Sequence, residues 1–436
     1  MIHFSHRPDV MLMLIRLAIA VLLACAVFVP ASATAQAADS DLARARRILR
    51  TTPLIDGHND LAWRIREDKN APRDVDAYDL RRTTPGHTDL ARMKDGMVGA
   101  QFWSVYIPGE IKDSGYARVQ LEEIDIARRF IAKYPERLAF ATRASDIRHD
   151  FAQRKVASFL GMEGGHAIEN SLGALRSYYD LGVRYMTLTH NVTLDWADAA
   201  LDEPKHAGLT PFGKEVVREM NRLGMLVDLA HVSPGTMSAA LDVSEAPVIF
   251  SHSGSRALVD HPRNVPDSIL ARLPKNGGIV MVPFVNGFVS ATVRARDLAE
   301  EEASKSAKAK FPSDSGAVER EMAAWRAAHP PVRASLSDVA DHIEHVRDVA
   351  GIDHVGIGSD FDGIDDVIPG LENVSRFPYL LAELARRGWS DADLRKVAGE
   401  NFIRVFTQAE SVAARLQKSR HPSTATITEL DGTLHP

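Results

Sequence analysis

Eight short apolar runs, each followed by a stretch of polar and mixed sequence, organise this chain. They fall at 54–57, 98–107, 156–162, 183–189, 225–230, 248–251, 278–284 and 354–358. Bounded by turn residues, they predict strands buried on both faces. Between them the apolar spacing changes to the helical period at 116–133, 170–181, 211–223, 234–241 and 336–350, with Ser, Asn or Pro opening several of these segments at capping positions. Parallel strands need crossover helices, so eight such units in a row predict the α/β class and a closed (β/α)8 TIM barrel. An open, doubly wound sheet is the competing arrangement. No fixed-period repeat accompanies the alternation.

Three segments depart from this rhythm. Residues 291–335, charged and Ala-rich, form a helical insertion between strands 7 and 8. Such sequence reads either as a lid over the face where barrel active sites lie or as a solvated surface excursion. After a last helix at 391–417, residues 419–436 carry few core residues and predict a loosely held tail. At the other end, His6 and Arg7 precede a hydrophobic stretch and then small residues, ASATAQAA, which together predict an export signal over 1–37. The main domain is then 38–418. An uncleaved anchor is the alternative reading of the leader, although its apolar core is short for a bilayer.

Composition narrows the function. With 436 residues and 45% hydrophobic content the chain can bury a large core, and its net charge of −6 is spread without a basic stripe. Nucleic acid is therefore not an expected partner. Removal of 1–37 takes away two arginines and one aspartate, which leaves the exported domain at −7. The single cysteine, Cys25, lies in the leader, so the mature domain has no disulfide. The LLAC sequence around Cys25 resembles a lipid-attachment box, but apolar AVFVP follows it. Cleavage beyond it, with no stable membrane span left, is the preferred reading, and a periplasmic or secreted location follows.

Six of the eight strand ends carry side chains that bind metals. They are His58 and Asp60 in IDGHND, Glu163 in GMEGGH, His190 in TLTH, His231 in VDLAH, His252 in IFSHS and Asp360 in GIGSDFDG. His and carboxylate sets suit Zn²⁺ and similar ions, and the lack of cysteine ligands favours a catalytic over a structural site. His58 and Asp60, two apart, can face one ion. Glu163 has two oxygens and can join neighbouring ions, while His231 and His252 can supply a second. Asp360 and Asp362 share one Gly-flanked loop, and either can serve the reacting centre. His166 reads as a supporting residue, and Asp195 and Asp198 as pocket wall. Neither GxGxxG nor GxSxG is present.

These motifs, with SHSGSRALVDHPRNVPD, together resemble the membrane (renal) dipeptidase family of metallopeptidases, which have amidohydrolase-like barrels. The resemblance runs from about 52 to 404 in family order, and 291–335 is expanded relative to typical members. It implies two Zn²⁺ ions, the first on His58 and Asp60, the second on His231 and His252, with Glu163 bridging. It further implies that His190 contacts the scissile carbonyl, that Arg263 receives the substrate's terminal carboxylate and that Asp360 lies near the reacting centre. The expected activity is hydrolysis of free dipeptides, including ones with a C-terminal D-residue, through a water shared by the two ions, and a homodimer is compatible with the family. Two other functions fit the same barrel: an amide, lactam or ester hydrolase of the amidohydrolase group, or a non-catalytic periplasmic peptide-binding protein.

Overall fold

A computed structural model describes residues 31–432. Cys25 and most of the leader expected over 1–37 lie outside the described residues. Nine parallel strands are present: β1 (Leu54–Asn59), β2 (Val98–Ser104), β3 (Leu138–Phe140), β4 (Val156–Glu163), β5 (Val183–Thr187), β6 (Leu226–Asp228), β7 (Ile249–Phe250), β8 (Ile279–Val282) and β9 (Val355–Ile357). Their order is β2-β1-β9-β8-β7-β6-β5-β4-β3, and a β2–β4 pairing closes eight of them into a (β/α)8 barrel. β3 is the strand that the apolar pattern misses. It pairs with the start of β4 through Leu138↔Val156 to Phe140↔Ser158, on the edge whose C-terminal half β5 takes.

Two apolar layers hold the barrel. The inner one packs Ile55, Phe102, Phe159, Tyr185, Ile249 and Met281 against Phe402, Val405 and Phe406. The last three belong to helix Asn401–Leu416, which plugs the barrel at the end opposite the motif-bearing strand termini. Phe102 lies 4.9 Å from Phe159 and 5.2 Å from Phe402 between ring centroids, within the range of favourable aromatic pairs. The outer layer lies between the strands and the surrounding helices, among them Tyr116–Lys133, Pro211–Leu223 and Leu336–Ala350, whose bounds the periodicity gives correctly.

The last helix differs from expectation. The predicted 391–417 segment consists of Asp391–Arg395, a π-helical turn at Lys396–Glu400 and Asn401–Leu416. A side chain at Gly399, in that turn, would come within 2.2 Å of the Pro53 carbonyl oxygen. Only glycine lets the turn approach the start of β1 so closely.

The insertion forms two helices, Ala291–Lys310 and Ser315–Ala328, with Arg296 reaching the His329 carbonyl across their bases. They are largely exposed. The tail is tied down where a loose end is expected. Asp431 accepts from the Phe212 amide at 3.0 Å, the Ser423 carbonyl accepts from Arg176 at 2.9 Å, and Ile427 is buried. Thr426 and Glu429 form a capping box that opens the short helix Ile427–Asp431. Among the described residues no helix is long and apolar enough to cross a membrane.

Candidate active site

The site grows from irregular backbone at the carboxyl ends of the strands. His58 lies within β1, and Asp60 follows it at the start of helix Leu61–Arg66. Glu163 is the last residue of β4. His190, His231, His252 and Asp360 lie a few residues beyond β5, β6, β7 and β9. His231 and Asp360 have φ of 64° and 67°, and Asp362 has φ of 66°. These left-handed conformations are costly for non-glycine residues and persist only where surrounding contacts enforce them.

Two buried aspartates supply much of that enforcement. Asp56 accepts from the Ser359 amide and hydroxyl, both at 2.7 Å, and from Gln101 at 2.9 Å. It thereby ties β1 to the Asp360 loop. Asp228 accepts from the Thr187 and Ser251 hydroxyls, both at 2.6 Å, and from the Ser251 and Ala230 amides, linking the ends of β5, β6 and β7. Burial pushes the Asp56 carboxyl up to about 6 despite these donors. Both residues stand inside the IDGHND and VDLAH motifs, yet sequence reasoning passed over them because a carboxylate next to a better ligand has no distinguishing mark.

The five candidate ligands converge. His58 Nε2 lies 3.2 Å from Asp60 Oδ2 and 3.4 Å from Glu163 Oε2. The other oxygen of Glu163, Oε1, lies 2.9 Å from His231 Nε2 and 3.5 Å from His252 Nε2. His58, Asp60 and Glu163 thus form one set of donor atoms and Glu163, His231 and His252 another, all within 4.8 Å of one another in each set. A third grouping joins His58, His252 and Asp360.

Each imidazole is held by its other nitrogen. His58 Nδ1 meets the Tyr185 hydroxyl at 2.8 Å, His252 Nδ1 the Ser251 hydroxyl at 2.9 Å, and His231 Nδ1 donates to Asn191 Oδ1 at 3.0 Å. Because that Asn oxygen only accepts, the proton of His231 stays on Nδ1 and the Nε2 lone pair faces the cluster, the arrangement a metal-binding histidine needs. Burial, then the Arg263 charge, holds His231 well below the ordinary histidine range; burial, then His58 and Arg263, does so for His252. His231 and His252 Nε2 lie 2.9 Å apart, and Arg263 Nη2 donates to His252 Nε2 at 2.7 Å, so the His252 lone pair is turned into the cluster. His58 Nε2, fully buried, has no hydrogen-bond partner. Carboxylates of Asp60, Glu163 and Asp360 gathered with the rings of His58, His231 and His252 make a donor set that fits a metal cofactor.

A cavity of about 390 Å³ opens onto this cluster. Trp63, Tyr106 and His190 form one wall, with Tyr106 4.7 Å from the His190 ring. Arg263 and Phe288 form the other. Arg263 is 1% exposed, its Cζ lies 5.2 Å from the Phe288 ring, and its Nη1 has no partner. Burial brings this guanidinium down to about 10, so it remains charged at neutral pH. Asp360 Oδ1 lies 3.9 Å from His58 Nε2, and burial, reinforced by Asp60 and Glu163, pushes its carboxyl well above the usual range. Asp362 also borders the cavity, but it accepts from the His87 amide at 2.7 Å and its own amide donates to His87 Nδ1 at 2.9 Å. The register therefore gives Asp360, not Asp362, to the cluster.

Residues 42–420 match the family model described as membrane dipeptidase, peptidase family M19. The chain belongs to this family. The match includes the 291–335 insertion and leaves out all of 1–37 and residues 421–436 of the tail. Solved structures agree on the fold. The probable dipeptidase PvdM from Pseudomonas aeruginosa superposes with a TM-score of 0.73 at 23% identity, over 86% of this chain and 100% of that one. A metallopeptidase from Rhodobacter sphaeroides, liganded with a phosphinate mimic of L-Ala-D-Ala, gives 0.67 at 24% identity, over 82% and 99%. An amidohydrolase from Pseudomonas aeruginosa gives 0.63 at 22%, over 84% and 98%.

Family membership makes the chain a dipeptidase of the metallopeptidase kind, and the His, Asp and Glu sets fit a metal cofactor. The remaining neighbours have places of their own in this family member. His166 bonds the Ile107 carbonyl at 3.0 Å, and burial takes it down to about 4. Asp198 organises the loop after β5 by accepting from the Lys205, His206 and Gly208 amides. No residue of the 291–335 insertion is among those that line the cavity.

Proposed function

We propose that this family member is an exported dinuclear zinc dipeptidase that cleaves free dipeptides, including those with a C-terminal D-residue. His58 and Asp60 would hold the first ion and His231 and His252 the second, with Glu163 offering one oxygen to each. One observation carries this reading: the two oxygens of a single buried carboxylate face different histidines, Oε2 towards His58 and Oε1 towards His231 and His252. When bound, the ions supply an activated water and polarise the amide carbonyl. The side chains do the rest. His190, on the cavity wall, is placed to donate to the carbonyl oxygen as negative charge develops there. Asp360, on the cavity wall beside His58, takes the proton of the attacking water and passes it to the leaving amine. Arg263, with one nitrogen unpaired, receives the substrate's free carboxylate and so sets the substrate's length. The D-residue part of the reading is supported by the L-Ala-D-Ala mimic carried by the Rhodobacter protein.

The test combines metal analysis of purified protein with hydrolysis of L,L and L,D dipeptides, a tripeptide and a β-lactam. Two equivalents of zinc and turnover confined to dipeptides are expected. Turnover of the lactam but not the dipeptides, or recovery of bound peptide intact, rejects the reading. His252→Ala is expected to abolish turnover and remove one metal equivalent, and near-normal rates in it would refute the ligand assignment. Arg263→Ala is expected to weaken capture of substrates with a free carboxylate while sparing carboxyl-blocked analogues.

A further inference from the structure

Next to the catalytic cavity lies a second one, of about 730 Å³, that the proposed chemistry does not use. The same three loops build both. The loop after β2 gives Tyr106 to the catalytic cavity and Glu110 to its neighbour; the segment after β4 gives Glu163 and then His166 and Glu169; the loop after β5 gives His190 and then Val192 to Asp195. Of these strands β2 lies opposite β7, whose following loop carries Arg263, and β4 lies three strands from it. A dipeptide with its carboxylate on Arg263 and its scissile carbonyl at His190 therefore directs its N-terminal residue toward the second cavity. This geometry rests on the function proposed above.

The cavity's chemistry is that of a cation receptor. Glu110, Glu169 and Asp195 line it and, among the described residues, none of them forms an ion pair, while Lys205 is the one basic side chain on its wall. Asp195 accepts from Asn170 at 2.8 Å, which fixes its carboxylate without neutralising it. His166, 6% exposed, is also part of the wall. Its Nε2 bonds a carbonyl oxygen and so carries the ring proton, which leaves Nδ1 as a buried acceptor with no partner. Three acceptor carboxylates and an unused acceptor nitrogen ask for N–H donors. Val192 and Leu194, on the same wall, offer apolar surface for the methylene stem that long basic side chains lay down behind their charged heads. The Glu110 charge acts on both Tyr106 and His190, so the two cavities share one electrostatic field.

We propose that this cavity is the side-chain subsite for the substrate's N-terminal residue and that it selects lysine- and arginine-like chains through Glu110, Glu169 and Asp195. The test compares kcat/KM for L-arginyl-alanine, L-alanyl-alanine and L-glutamyl-alanine in the zinc-loaded protein and in the Glu110→Gln/Asp195→Asn double variant. The arginyl substrate is expected to be preferred over the glutamyl one. In the double variant the arginyl-to-alanyl ratio is expected to fall by about threefold to tenfold, as loss of partly exposed ion pairs implies. An unchanged ratio, or a glutamyl substrate cleaved as well as the arginyl one, overturns the subsite. Glu110→Gln alone, at an exposed position, serves if the double variant does not fold. Should the folded protein cleave no dipeptide at all, the dipeptidase reading fails by itself. Calorimetric binding of arginyl-alanine against glutamyl-alanine, to wild type and variant, then decides the subsite separately: a preference lost in the variant supports it, and equal binding overturns it.

Discussion

At the scale of single residues one constraint touches two site carboxylates at once, and it is on an atom that is absent by nature. A side chain at Gly363 would come within 2.3 Å of Asp60 Oδ2 and 2.8 Å of Asp360 Oδ1. Gly363→Ala therefore has to push aside one candidate ligand carboxylate and the candidate proton carrier together. Its metal affinity is expected to drop by about 10- to 100-fold, the usual cost of disturbing a ligand's support, with circular dichroism unchanged. A zinc titration by calorimetry checks this, and wild-type affinity would mean that the two carboxylates do not meet at the metal. The same scale shows what the chain discloses in one dimension. His58, Asp60, Glu163, His231 and His252 were legible because few side chains bind metals and the motifs concentrate them at strand ends. Tyr185 and Asn191, which hold the outer nitrogens of His58 and His231, were not. Tyr185 stands 127 positions from His58 and reads as an ordinary strand aromatic until the barrel closes.

Elements tell a similar story. Seven of the barrel strands are apolar runs whose neighbours are turns, and β1 ends at its motif, so the alternation alone gives the barrel. β3 escaped because three residues, Leu-Ala-Phe, give no periodicity to read, and its existence depends on the free edge at the start of β4. The loop after β7 is locked from outside by helix Leu336–Ala350, where His342, 1% exposed, accepts the Ser255 amide at 2.8 Å through Nδ1. Burial, helped by His345, takes His342 down to about 4. Between pH 6.5 and about 4 the unfolded chain takes up a proton that the folded chain refuses. Stability from this group is thus complete above pH 6.5 and is lost as pH falls toward 4, at about 1.4 kcal/mol per pH unit within the window. Urea denaturation of wild type and His342→Asn from pH 7 to 4.5 is expected to show a shallower acid loss in the variant. Parallel curves would place the acid sensitivity elsewhere.

For the whole molecule, the barrel end that carries the candidate metal ligands is also the end where β1, β9 and the β5–β7 loops are drawn together by Asp56 and Asp228. Ions bound there favour the folded state by mass action, so zinc at 100 times its dissociation constant is expected to add about 2.7 kcal/mol of stability. Chelation should lower Tm accordingly. The 291–335 insertion lies outside this coupling. Its two helices bury mainly Val293, Ala307, Ala317 and Met322, and Arg296 bonds Glu300 and the His329 carbonyl within the same hairpin. The segment that returns from the hairpin is attached to the barrel separately, by Ala334 to Asn286 and Arg333 to Asp366. Because Arg296 spans the two bases, residues 297–328 can be replaced by a short Gly/Ser linker at small loop-closure cost. The shortened chain is expected to keep its Tm within a few degrees, roughly the shift of a 1 kcal/mol change, and its kcat/KM for a dipeptide unchanged. A collapse of kcat/KM with Tm preserved would show that the hairpin reaches over the mouth during turnover, a motion in which its exposed Leu298 and the Trp325–His329 stack would be the surfaces to probe next.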